Sequence, residues 1–216
     1  LPDEQMLTPL VNSLPPAVHP VNLTMGSKLR NSSVATLIRD IVSLQMRSYS
    51  SAERHTFFAD DVYTVLTHPL VRGVNTATAA SLIARIRDRR MFNVPEQFFQ
   101  EVDSRGVFSP IFTMVSDRNS CSDVFEYLDR LLLWLDRSLS LTWGEGEEHS
   151  LGIQKAFLLR YKNALETLRH LKSTYLEAPD GTTKIELKDA TVFNLVERVV
   201  AGEMLNFEGV PLEGLQ

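Results

Sequence analysis

Residues 151–175 read LGIQKAFLLRYKNALETLRHLKSTY. Set in heptads, Leu151, Leu158 and Leu165 share one seam position, and Tyr161, Leu168 and Tyr175 share the other. Phe157, Ala164 and Leu171 fall beside the first position. The apolar face is therefore wider than a two-stranded seam, and a face of that width is buried by several neighbours at once. The stretch predicts a long helix inside a multi-helix bundle rather than an isolated coiled coil.

The segments upstream repeat the pattern. Val124, Phe125, Leu128, Leu131, Leu132, Leu135 and Leu139 form an apolar stripe on a helix opened by Ser120 or Ser122. The glycine-bearing acidic stretch 144–148 connects it to the heptad helix. A short connection predicts an antiparallel pair, with Leu128, Leu132 and Leu135 facing Leu158, Tyr161 and Leu165. Ser32 or Ser33 can cap a helix with Val34, Leu37, Ile38, Ile41 and Val42 on one face. Ser50 and Glu53 make a capping-box pair before a helix carrying Phe57, Phe58, Val62, Val65 and Leu66, which should stop before Pro69. Gly73 and Asn75 punctuate. Asn75 or Thr76 then caps a helix with Ala79, Leu82, Ile83 and Ile86 inward, and Pro95 suits the first position of a short helix through Val102. Pro110 marks a helix start or a turn. A last helix runs from about Ala190 to Leu205, after a turn at Pro179-Asp180-Gly181 and a short strand from Thr182 to Leu187. The expected fold is an all-α bundle of about seven helices over residues 31–205, with a minor β-hairpin near 180.

Both ends differ from this body. Pro2, Pro9, Pro15, Pro16 and Pro20 are half of the ten prolines, and Leu7, Leu10, Val11, Leu14 and Val18 lie among them. Proline fixes φ, removes donors and pushes its predecessor into extended geometry. Residues 1–30 are thus expected to form an extended arm, too apolar for a solvated linker and suited to a groove on its own domain or on a neighbouring subunit. Residues 206–216 form a tail with Pro211 and two glycines. The chain opens on Leu1 rather than Met, as a piece processed from a longer product would.

Composition bounds the function. The chain has 216 residues, 44% of them hydrophobic and 23% charged, enough for a core of normal size. The net charge of −5 argues against a protein wholly devoted to nucleic acid. Cys121 is the one cysteine, so no intrachain disulfide forms and an intracellular, reducing compartment is expected, within a large particle if the chain is an assembly component. The triplets at Asn22 and Asn31 match the glycosylation pattern but arise readily by chance. No apolar run approaches the ~20 residues of a membrane span.

The chemistry-bearing patterns are sparse. No glycine-rich phosphate cradle is present, and His19, His55, His68, His149 and His170 include no His-x-x-x-His pair, so neither cofactor nor metal is expected. Cys121 stands near a helix N-terminus, which favours a thiolate, but no hydrolase signature surrounds it. Asp60 and Asp61 are adjacent and diverge on a helix. The basic clusters carry more. Arg85, Arg87, Arg89 and Arg90 fall in one expected helix with Arg72 just before it, and Lys155, Lys162 and Arg169 recur every seven residues with Lys172 nearby. Such cations can hold an acidic partner or phosphates, or simply form a solvated face. The reading that follows is a non-enzymatic structural or assembly protein acting through protein–protein contacts in a larger complex, as a capsid-associated, scaffold or adaptor component does. The arm residues Leu7, Leu10, Val11, Leu14 and Val18 are its expected partner contacts. The rival is a nucleic-acid-contacting helical module using the arginine-rich helix. An enzyme with a cysteine nucleophile comes third.

Overall fold

The computed structural model describes residues 27–28, 31–50, 55–115, 121–142, 148–171, 174, 189–202 and 204–205. Almost all of the proline-rich arm, the expected hairpin near 180 and the 206–216 tail lie outside these. Nine helices occur among the described residues: α1 (Ser33–Arg47), α2 (Ala59–Thr67), α3 (Pro69–Val74), α4 (Thr76–Asp88), α5 (Glu96–Val102), α6 (Ser109–Phe112), α7 (Cys121–Thr142), α8 (Glu148–Leu171) and α9 (Asp189–Gly202). Five short strands join them: β1 (Ser27–Lys28), β2 (Tyr49–Ser50), β3 (His55–Phe58), β4 (Asn93–Pro95) and β5 (Met204–Leu205). The mostly helical class matches the sequence reading.

The helices α1, α7, α8 and α9 pack on one another as a four-helix unit. The shorter helices α2 to α6 cover its other side, with α2 on α1 and with α3 and α6 on α7. The long pair α7 and α8 is antiparallel. Lys162 meets Asp136, and Arg169 meets Asp129, so seven residues forward along one helix match seven residues back along the other. Leu128, Leu132, Leu135, Leu158, Tyr161 and Leu165 are all buried, as their stripes require. Leu171, the last residue of α8, is 42% exposed, and Tyr175 lies outside the described residues.

Caps explain several boundaries. Ser32 accepts the Ala35 N–H, and Asn75 accepts the Thr78 N–H, each satisfying an orphan donor. Pro69 and Pro110 open two additional short helices, raising the count above seven; Gly73 lies inside the first of them.

Three expectations fail locally. The segment expected to be helical at Phe57 and Phe58 is strand β3, paired antiparallel with β2 and β4, so helix α2 starts only at Ala59. Ser50 belongs to β2, and Glu53 lies outside the described residues. The run His55-Thr-Phe-Phe58 is β-branched and aromatic, and strand pairing overrides the capping-box signal. Pro95 ends β4 and is the N-cap of α5 instead of its first residue. Lastly, Ser27–Lys28 and Met204–Leu205 are not featureless arm and helix end. They pair antiparallel, Ser27 with Leu205 and Lys28 with Met204.

Inside the body one buried glutamine ties three elements together. Gln45 of α1 donates to the carbonyls of Ile111 and Thr113 and to the Tyr127 hydroxyl, at 3.2, 3.0 and 3.1 Å, and its Oε1 accepts the Val115 N–H. Tyr127 donates in turn to the Ile111 carbonyl at 3.0 Å. Burial pushes the Tyr127 phenol well above its usual range, so it stays a donor. The network pins residues 111–115, the end of α6 and the chain that follows it, between α1 and α7.

Candidate functional site

The arginines at the end of α4 sit on a helix terminus closed by a Schellman motif. The Met91 N–H reaches the Ile86 carbonyl, and the Arg90 N–H reaches that of Arg87, at 3.1 and 3.0 Å. The residue in the left-handed position is Arg90, with φ 48°, where glycine is usual. A β-carbon there costs about 1 kcal/mol relative to glycine. The helix therefore stops at Asp88, and Arg87 and Arg90 do not stack one turn apart as a continuous helix would place them.

Ile86 and Leu82 point into the core, which sends Arg85 and Arg87 to opposite flanks of α4. Arg89 turns back, its guanidinium 5.5 Å from the Phe98 ring centre. All four cations are exposed, and among the described residues none of them makes an ion pair. Arg72 stands apart. It lies before α4, and the 13 residues of that helix put roughly 20 Å between it and the others.

Beyond the Schellman turn the chain presents Phe92, 85% exposed, and enters β4. The Phe92 carbonyl accepts the Ala59 N–H at 2.9 Å, and Asn93 pairs with Phe58, so the turn is bolted to the end of β3. Strand alternation then sorts the sheet. Phe57 and Val94 point inward and are fully buried, whereas Phe58, Thr56 and its β2 partner Tyr49 share the outer face. Tyr49 is 61% and Phe58 42% exposed, and Met46 from the end of α1 is exposed beside them in sequence. Arg47 covers Phe58 at 5.6 Å from its ring centre and pairs with Asp61 Oδ1 at 2.9 Å. Burial raises the Asp61 carboxyl, Arg47 opposes the rise and Asp60 adds to it.

Sequence reasoning found the arginines but did not place Tyr49, Phe58 and Met46 beside them. The signal was present as the alternation in His55-Thr-Phe-Phe58, which the capping-box pattern masked.

The other candidates come out differently. Lys162 and Arg169 are engaged by Asp136 and Asp129 of α7, and Arg169 also lies over Phe125, so these two join two helices, while Lys155 is exposed and Lys172 lies outside the described residues. Asp60 is exposed and Asp61 buried, so the adjacent pair shares no site. Cys121 is the first residue of α7. A cleft of about 200 Å³ is lined by Glu96, Asp103 and Thr113 among others, but Glu96 and Asp103 bind the Met114 and Phe108 N–H groups and so build the loop. A groove of about 420 Å³ between α1 and α9 is crossed by the Arg39–Glu197 pair at 2.6 Å. Among the described residues no cluster of three or more His, Cys, Asp or Glu side chains is placed to hold a metal, and no helix is long and apolar enough to cross a membrane. The arm residues Leu7, Leu10, Val11, Leu14 and Val18 lie outside the described residues. Compared with family models, curated proteins and solved structures, the chain matches none of them.

Proposed function

We propose that the chain is a non-enzymatic structural component that works through protein–protein contacts within a larger intracellular assembly, as a capsid-associated, scaffold or adaptor protein does. The carrying observation is a corner of the backbone where strand pairing brings exposed Tyr49 and Phe58 near exposed Phe92, with Arg87 and Arg90 in the turn just before it. Large exposed aromatics beside arginines are the composition of interface hot spots. Tyr49 and Phe58 stand on a paired sheet whose inner face is locked in the core, and Phe92 on the turn bolted to it, so little order is lost when a partner binds. The apolar arm, residues 1–26, would supply a second contact through Leu7, Leu10, Val11, Leu14 and Val18. Purification from the native source under mild conditions tests the reading. Co-purifying stoichiometric subunits support it, and a monomer with no partner at any concentration refutes it.

A second reading rests on the same unpaired arginines: contact with nucleic acid. It predicts binding to an oligonucleotide that weakens steeply with salt and is lost when Arg85, Arg87, Arg89 and Arg90 are changed to Glu. An enzyme using Cys121 is the third reading, and an activity that survives Cys121→Ser would remove it.

A further inference from the structure

We infer that the aromatic–arginine corner is the docking site for the acidic, apolar segment 206–216 of a second copy of this chain. The inference rests on the assembly reading and names the partner of the same surface.

Charge selects the occupant. Residues 206–216 read NFEGVPLEGLQ, with Glu208 and Glu213 and no Lys, Arg or His, and with Phe207, Val210, Leu212 and Leu215 as apolar side chains. That is the complement of a corner holding Phe58, Phe92 and Tyr49 with unpaired Arg87 and Arg90. The arm is the other apolar extension, but residues 5–27 contain no Asp, Glu, Lys or Arg, so it gains nothing from the cations. A nucleic-acid strand is less well matched. Arg85 and Arg87 diverge on opposite flanks, Arg89 is turned onto Phe98, and Asp60 and Asp88 interrupt the positive field. These cations do not follow a phosphate track, whereas a short peptide needs only one or two of them.

Geometry selects a second copy. Segment 206–216 follows β5, which comes four residues after Val200, and Val200 lines one groove with Ala35 in the first turn of α1. The corner begins at Met46 and Arg47, the opposite end of this 15-residue helix and roughly 20 Å away. Eleven extended residues reach at most about 36–40 Å. A link within one copy would use more than half the segment as a bridge, leaving Phe207 and Glu208 short of the corner. A second copy can present the whole segment. Exchanged reciprocally, such a contact closes a two-fold dimer; passed on in one direction, it builds rings or open chains of copies.

The test is a fluorescein-labelled synthetic peptide of residues 203–216 titrated into the full chain and followed by fluorescence polarisation. Saturable binding is expected. It should weaken at least about tenfold in Arg87→Glu/Arg90→Glu and in Phe92→Ala, and equally when Glu208 and Glu213 of the peptide are changed to Gln. These are exposed positions, and unchanged circular dichroism shows that the variants fold. In parallel, sedimentation of the full chain should show self-association that is lost on deleting 206–216. No peptide binding overturns the inference. So does self-association that survives the deletion but is lost in Arg87→Glu/Arg90→Glu; that result keeps the assembly reading and assigns the corner another partner. Binding of a 12-nucleotide poly-dT probe in place of the peptide overturns it in favour of nucleic acid. A chain that stays monomeric, ignores the peptide and brings down no partner ends both readings.

Discussion

The two faces of the three-stranded sheet share their strands and differ in everything else. On the inner face Phe57 lies edge-on to Phe99 and Phe112 at 5.9 and 6.2 Å between ring centres, and Phe99 stacks on Phe112 at 4.0 Å. One residue on, Phe58 points outward with Arg47 across it. Adjacent phenylalanines thus have unlike duties: one holds the α5–α6 layer to the body, and the other is held out by it. A surface aromatic is positioned as firmly as the core beneath it, because strand alternation couples the two.

That contrast sets the order of expected effects. Phe57→Ala should remove about 3–5 kcal/mol of stability by urea unfolding, since it empties a cavity under both α5 and α6. Phe58→Ala should change stability by under about 1 kcal/mol; an equal loss at both positions would show that the faces are not distinct. Tyr127→Phe should cost about 1–2 kcal/mol, because Gln45 keeps its two carbonyl partners but loses the hydroxyl. Arg90→Gly should raise stability by about 0.5–1 kcal/mol through relief of the left-handed backbone, while peptide docking falls. A destabilised Arg90→Gly would mean that the side chain packs within its own chain.

The smallest effect concerns pH. Burial lowers the His68 pKa from 6.5, against the opposing charge of Asp40, and His68 Nδ1 accepts the Leu70 N–H at 3.3 Å. A depressed histidine is harder to protonate in the fold than in the unfolded chain. Its contribution is therefore complete above pH 6.5 and declines as the pH falls from there through the folded pKa. His68→Asn keeps an acceptor for the helix terminus and should flatten the decline in melting temperature between pH 7.5 and 5.5.

The helical layers were legible because period and length agree in them. The stripes of α7 and α8 run for several turns, long enough to identify the buried face and the antiparallel pairing. Short elements were not legible. A two-residue strand such as Tyr49–Ser50 has no periodicity of its own, and its existence depends on pairing with His55 and Thr56. Asn93–Pro95 likewise forms against Thr56–Phe58, about 35 residues away, which local pattern cannot reveal. The corner suffered from the same limit. Its arginines were visible as a charge cluster, but the left-handed turn and the outward aromatics come from tertiary pairing.

The β1–β5 pairing has a kinetic meaning. It joins Lys28 to Met204, near the two limits of the folded body, through a ladder of two residues on each side. Closing a flexible loop of that span costs about 4–5 kcal/mol of chain entropy, more than so short a ladder returns. The clasp therefore forms after the helices have brought its strands together, and it opens before they come apart. Each opening parts Ser27 from Leu205 and Lys28 from Met204 in a single step, so β1 and β5 share one latch.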